Sequence, residues 1–472
     1  MDSFIEKLVS IRPNENQIAW QSLEFTAFFH FGMNTFTNKE WGDGKEAPVT
    51  YNPTNIDTDQ WCKSVKSAGI KACLITAKHH DGFCLFDTAT TNHNVILSQK
   101  PLDIVASLAK SCKKYNLKMG VYLSPWDMNA QTYGTGIPYD DFFCAQLEEL
   151  TTKYGDIYSV WFDGACGEGA NGKKQVYDWG RYYAVIRKNQ PKAVIAVCGP
   201  DVRWIGNEGG HTRPSEWSVV AGKMRRSETT LALSQQADNN TFREKRIASE
   251  DEDLGSQEFL LDVVNSGGDL CWYPAEVDVS IRPGWFYHPE EDHKVRSVEN
   301  LLDIYVKSVG GNAVLLLNIP PDINGQINAA DVKILEALGE RIRKIFTENL
   351  FTDADISIEG ENKHELLNDN DHYWMGKTEQ IAIDITLPIP KTLTHIVLCE
   401  EIRDSQRIES FTLSVEMNGL WQEIYRGTTV GYKKICLFAP TVAEKWRINI
   451  TKSRISPTLR YIGGYVDEVL YA

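Results

Sequence analysis

From about residue 25 to about residue 346 the chain alternates short apolar, β-branched or aromatic runs with longer runs of helical periodicity. That alternation restricts the fold to parallel βα units. A strand covered on both faces by helices reads as a continuous apolar run, and 25–31, 71–77, 118–123, 157–162 and 193–198 all read so. Helical runs at 57–68, 102–115, 139–154 and 177–188 separate them, the first with Asp57 at its cap. The pattern then loosens. Residues 201–252, rich in Gly, Arg, Glu and Ser, read as long loops around a short strand at 217–220. Late strands at 268–273 and 312–319 and helices at 295–309 and 330–346 restore it. About eight such repeats predict an α/β fold, a (β/α)8-type barrel over residues 1–348 with irregularity in its second half.

Beyond about residue 352 the texture becomes short alternating strands, as in Ile381-Ala382-Ile383-Asp384-Ile385 and Phe411-Thr412-Leu413-Ser414-Val415. This predicts an antiparallel β-sandwich over 349–472. Its aromatic residues Trp374, Trp421, Tyr425, Tyr432 and Trp446 read as packing of the sandwich and its barrel contact, in preference to a carbohydrate platform.

Composition narrows the function. A net charge of -15 and a pI near 5.2 argue against a nucleic-acid partner, which needs a basic surface. The 13 tryptophans are abundant enough to furnish stacking faces for sugar rings. No segment reaches the roughly 18–20 apolar residues that span a bilayer, so no membrane insertion is expected. The ten cysteines are scattered without a CxxC pair, against a zinc site or a disulfide framework.

Reactive groups in such a barrel gather at the carboxyl ends of the strands. His30 closes the first strand, His79, His80 and Asp81 the second, Tyr122, Ser124 and Trp126 the third. The fourth, Tyr158-Ser159-Val160-Trp161-Phe162, ends on Asp163 and Gly164. An aspartate there has no packing use, because an unpaired charge costs several kcal/mol. Three histidines and a carboxylate could bind zinc, giving a metal-dependent hydrolase, but neither HxH nor HExxH spacing occurs. Neutral imidazoles serve equally as partners for sugar hydroxyls.

The chain resembles glycoside hydrolase family 29, the α-L-fucosidases, through His30-Phe31-Gly32, Glu40-Trp41, Lys78-His79-His80-Asp81-Gly82-Phe83, Trp161-Phe162-Asp163-Gly164 and residues 311–321. The resemblance implies a retaining exo-enzyme without cofactor or metal, acting on a fucosylated oligosaccharide or glycoconjugate. It implies Asp163 as nucleophile and His30, Glu40, Trp41, His79, His80 and Tyr122 as fucose-binding residues. Trp285, in Pro283-Gly284-Trp285-Phe286, is similar to an aromatic that packs against the sugar. Trp161 is read as pocket lining or as barrel core. The retaining mechanism needs a second carboxyl about 5–5.5 Å from the first. Glu168, Glu208, Glu216 and Glu250 are candidates, and Glu208, after the fifth strand beside Trp204 and several glycines, is preferred. Its segment resembles the branch acting on α-1,3/1,4-linked fucose in Lewis-type glycans. Nearby Arg203 and Arg213 are read as substrate-orienting or surface groups. The sandwich resembles galactose-binding or discoidin-like modules. A non-catalytic fucosylated-glycan-binding protein on the same scaffold is the alternative. The substrate class points to the periplasm or outside the cell. Residues 1–13 lack a signal-peptide apolar core, which keeps a cytoplasmic address open. The sequence does not specify an oligomeric state.

Overall fold

The computed structural model describes residues 3–234, 253–358, 363–370 and 372–470. Eight parallel strands form the larger sheet: β1 (Phe25–Phe29), β2 (Ala72–Lys78), β3 (Lys118–Leu123), β4 (Ile157–Phe162), β5 (Val194–Val197), β6 (Arg203–Trp204), β7 (Ala275–Ser280) and β8 (Ala313–Asn318). The order β5-β4-β3-β2-β1-β8-β7-β6, with a bridge from Ala196 to Val202 at the β5–β6 seam, makes a nearly closed barrel.

Flanking helices start where capping side chains satisfy their free N–H groups: Asp57 accepts from Gln60, Asp103 from Ala106, Asp178 from Arg181 and Ser297 from Asn300. Outward-facing strand residues such as Ala27, Cys73, Ile75, Val121 and Leu315 pack on these helices. Inward-facing Phe28, Leu74, Tyr122, Trp161, Ala196 and Leu316 fill the barrel lumen.

The second half departs from the expected pattern. The link from β5 to β6 contains no helix, and β6 is two residues long, too short to carry a periodic signature. The run expected as a late strand, 268–273, gives Leu270–Trp272, which pairs antiparallel with Val219–Ala221 outside the barrel. The barrel strand is β7, whose Glu276, Asp278 and Ser280 alternate with Val277 and Val279 and are all buried. Its alternating polar groups, which face the lumen, kept it from standing out as a continuous apolar run.

The carboxy-terminal part is built on two long bent strands, Ile381–Cys399 and Lys434–Ser453, joined antiparallel through register shifts. Trp374 and Trp446 are buried in its core, Tyr425 stacks on Phe411, the Arg447 guanidinium covers Trp421, and Tyr432 lies at the barrel contact. All five therefore pack. Glu24 to Lys433 at 2.5 Å and Arg341 to Asp467 at 2.7 Å tie it to the barrel. The cysteines are less dispersed than their spacing suggests: the Sγ atoms of Cys62, Cys73 and Cys112 lie within 4.8 Å of one another, buried between β2 and two helices.

Candidate active site

Asp163 directly follows β4, so the strand end presents its carboxylate. Oδ2 accepts from the Tyr122 hydroxyl at 2.8 Å and Oδ1 from the Ala165 N–H at 2.7 Å. Burial, and then the Asp163 charge, push the Tyr122 phenol well up, so it remains a donor. Gly164 is required because a Cβ there would run into Ser234.

The histidines are set by their second nitrogens. Asn318 donates its amide to Ser280 Oγ and Trp285 O, so its Oδ1 faces His30 Nδ1 at 2.9 Å and places the proton there. His30 Nε2 is thus an acceptor. Asn34 donates to Glu40 O and to His79 Nδ1 at 3.3 Å, so His79 carries its proton on Nε2 and is a donor. The Ser124 hydroxyl donates to Trp126 O and accepts from His80 Nδ1 at 2.7 Å. Its Nε2, 3.8 Å from Asp163 Oδ2, is a second acceptor. Burial lowers all three pKa values, that of His30 to about 3, and so keeps the rings neutral. Two acceptors and a donor around one carboxylate match a ring of vicinal hydroxyls, each of which can donate and accept.

The motif around them has structural partners. Lys78, buried at the end of β2, pairs with Asp127 at 2.8 Å and anchors the loop bearing His79 and His80. Gly82 has φ +79°, and a Cβ there would strike Asp127. Trp41 is 40% exposed and stands edge-on to His80 and Trp126, forming a wall at the rim.

Glu40 reaches across to the loop after β7. Its Oε2 accepts from Trp285 N at 2.9 Å, and its Oε1 from Phe286 N at 3.2 Å and from His288 Nε2 at 2.7 Å. The Trp285 ring lies 5.0 Å from that of His30, and its Nε1 donates to Glu208 Oε2 at 2.8 Å. Glu208 therefore joins the cluster through Trp285. It follows β6 rather than β5, since the unrecognised strand intervenes.

Trp161 lies beneath the site. It is buried in the lumen, stacked on Tyr122, and donates to Glu276 Oε1 at 2.7 Å. Burial raises the Glu276 pKa to about 7. Asp278 accepts from Trp204 at 2.8 Å, and burial and then the Glu208 charge push its carboxyl well up.

The other carboxylates stand elsewhere. Glu216 is buried between Arg203 at 2.9 Å and Arg213 at 3.2 Å, so these arginines are neither surface nor substrate-orienting groups. Glu168 is exposed on a hairpin, and Glu250 lies outside the described residues. His288, Asn318, Asn34, Glu276 and Asp278 were not foreseen. The alternation along β7 was a readable signal for the last two. The ligating atoms of His30, His79, His80 and Asp163 do not gather within 4.8 Å of one another, whereas the three buried thiols do.

The family model for alpha-L-fucosidase matches residues 6–344. The chain belongs to the alpha-L-fucosidase family. It is a glycoside hydrolase, and the strand-end cluster is its candidate active site. Alpha-L-fucosidase 1 of Arabidopsis thaliana is 37% identical over 475 residues, covering 97% of this chain and 88% of the plant protein. A crystal structure from Bacteroides ovatus aligns at TM-score 0.86 and 44% identity, over 98% of this fucosidase and 75% of that chain. The family 29 fucosidase of Ruminococcus gnavus in complex with fucose aligns at TM-score 0.82 and 29% identity, over 98% and 96% of the two chains.

Proposed function

We propose that this fucosidase releases terminal α-L-fucose by a retaining double displacement, with Asp163 as nucleophile and Glu208 as acid/base. The carrying observation is that Asp163 is held by Tyr122 and the Ala165 N–H while the neutral His80 imidazole stands 3.8 Å from its Oδ2. Two donors stabilise the anion and aim it, as attack on an anomeric carbon requires.

In the first step Asp163 bonds to the anomeric carbon while Glu208 gives its proton to the departing oxygen. In the second, Glu208 takes a proton from water, which displaces Asp163 and releases fucose. The His30 and His80 Nε2 acceptors and the His79 Nε2 donor meet the ring hydroxyls, and Trp285 covers the sugar. The fucose held by the Ruminococcus gnavus relative supports a sugar of this kind here. The substrates proposed are α-1,3/1,4-fucosylated glycans of Lewis type, whose neighbouring galactose would meet the loops after β4 and β6.

Incubation with 2-deoxy-2-fluoro-fucosyl fluoride followed by peptide mass spectrometry tests the nucleophile: the adduct is expected on Asp163, and an adduct elsewhere refutes the assignment. A linkage panel of Lewis trisaccharides against α-1,2-fucosyllactose tests the substrate. Faster cleavage of the α-1,2 linkage would remove the branch assignment.

A further inference from the structure

We propose that His288 is a positioning residue whose ion pair with Glu40 sets where Glu208 stands, a role that rests on the acid/base reading of Glu208. Both nitrogens of His288 donate. Nε2 meets Glu40 Oε1 at 2.7 Å, and Nδ1 meets Asn38 Oδ1 at 2.7 Å. The Asn38 orientation is fixed, because its amide nitrogen donates to Glu290 Oε1 at 3.2 Å. An imidazole that donates from both nitrogens is an imidazolium. Glu40, Glu290 and Glu291 all supply negative charge to it, and the Glu40 hydrogen bond raises its pKa.

The charge matters because of what Glu40 holds. The same carboxylate accepts the backbone N–H groups of Trp285 and Phe286, while the Trp285 carbonyl accepts from Asn318 at 2.8 Å. The tryptophan is thereby clamped at both ends of its peptide, and its indole N–H is aimed at Glu208. A continuous chain of bonds runs Asn38, His288, Glu40, Trp285, Glu208. Asp163 takes its support from Tyr122 and Ala165 instead, through bonds that share no member with that chain. Removing the imidazolium should therefore misplace the proton donor and spare the nucleophile.

Leaving-group dependence separates this role from general packing. 2-Chloro-4-nitrophenyl fucoside departs without protonation, whereas a Lewis trisaccharide needs the acid. The His288→Ala variant is expected to lose about 10²-fold in kcat/KM on the trisaccharide and about tenfold on the aryl fucoside, the shared part of the loss coming from the displaced Trp285 over the sugar. The His288→Gln variant, which can keep a neutral donor to Glu40, should fall between wild type and alanine, and it carries the test if the alanine variant does not fold. Equal losses on both substrates would overturn the proposal. Glu208→Gln is the control. If it discriminates and the His288 variants do not, the positioning role is wrong and the acid/base reading survives. If Glu208→Gln fails to discriminate, both fall.

Discussion

The Tyr122 hydroxyl donates to Asp163 Oδ2 across 2.8 Å, and the two residues sit at the ends of adjacent parallel strands. The register of β3 against β4 thus fixes the direction in which the carboxylate faces. Asp163→Asn is expected to lower kcat at least about 10³-fold with an unchanged melting temperature, because the group lies outside the packed lumen. Tyr122→Phe removes one donor and should cost about 10–100-fold. Steady-state rates on an aryl fucoside, beside thermal melts, check both.

Glu208→Ala should lose most activity toward glycans and regain turnover on an activated aryl fucoside when azide is supplied, since the anion attacks the fucosyl-enzyme in place of water, displaces the carboxylate and needs no base. Rescue in Glu216→Ala instead would move the acid/base.

Glu216→Ala has a different expected signature. Truncation strands Arg203 and Arg213 in a buried site, which costs about 3–5 kcal/mol of folding stability. Urea denaturation measures it, and a loss below about 1 kcal/mol would show that the guanidiniums find other partners.

Glu276 gives a pH-dependent stability. Its folded pKa of about 7 lies above the ordinary 4.5, so its contribution is fully present below about pH 4.5 and is lost as pH rises through 7. Glu276→Gln keeps an acceptor for Trp161 and cannot ionise. The variant should gain on the order of 1–3 kcal/mol over wild type between pH 5 and pH 8. Melting curves at the two pH values check this, and parallel curves would exclude it.

Chelation separates the sugar-binding reading of the histidines from the zinc reading. Exhaustive dialysis against EDTA is expected to leave kcat/KM unchanged, and loss restored by zinc would reinstate the metal.

Much of the barrel was legible because buried parallel strands advertise themselves: the expected runs at 118–123 and 157–162 coincide with β3 and β4. The strand-end residues His30, His79, His80, Tyr122 and Asp163 were legible for the same reason, as polar groups set where apolar runs stop. What escaped was long-range. β6 is held by pairing to β7 rather than by its own two residues. β7 carries carboxyls whose burial is compensated by Trp161 and Trp204 from other strands. Glu216 stood beside Glu208 as a candidate, since both lie on the long segment after β6. Only the fold reveals that one is enclosed by arginines and the other faces an indole.

The β6–β7 junction has a consequence for how this enzyme could diversify. The excursion that leaves β6 returns to β7 on the same edge, with Arg203 N bonded to Pro274 O at 2.8 Å and Ile205 N to Glu276 O at 3.0 Å. Insertions or deletions inside that closed staple would change the segment that carries Glu208 while the strands carrying Asp163 and its tyrosine stay in register. Grafting this segment between homologues would therefore exchange the surroundings of Glu208 without disturbing the strand ends that hold Asp163.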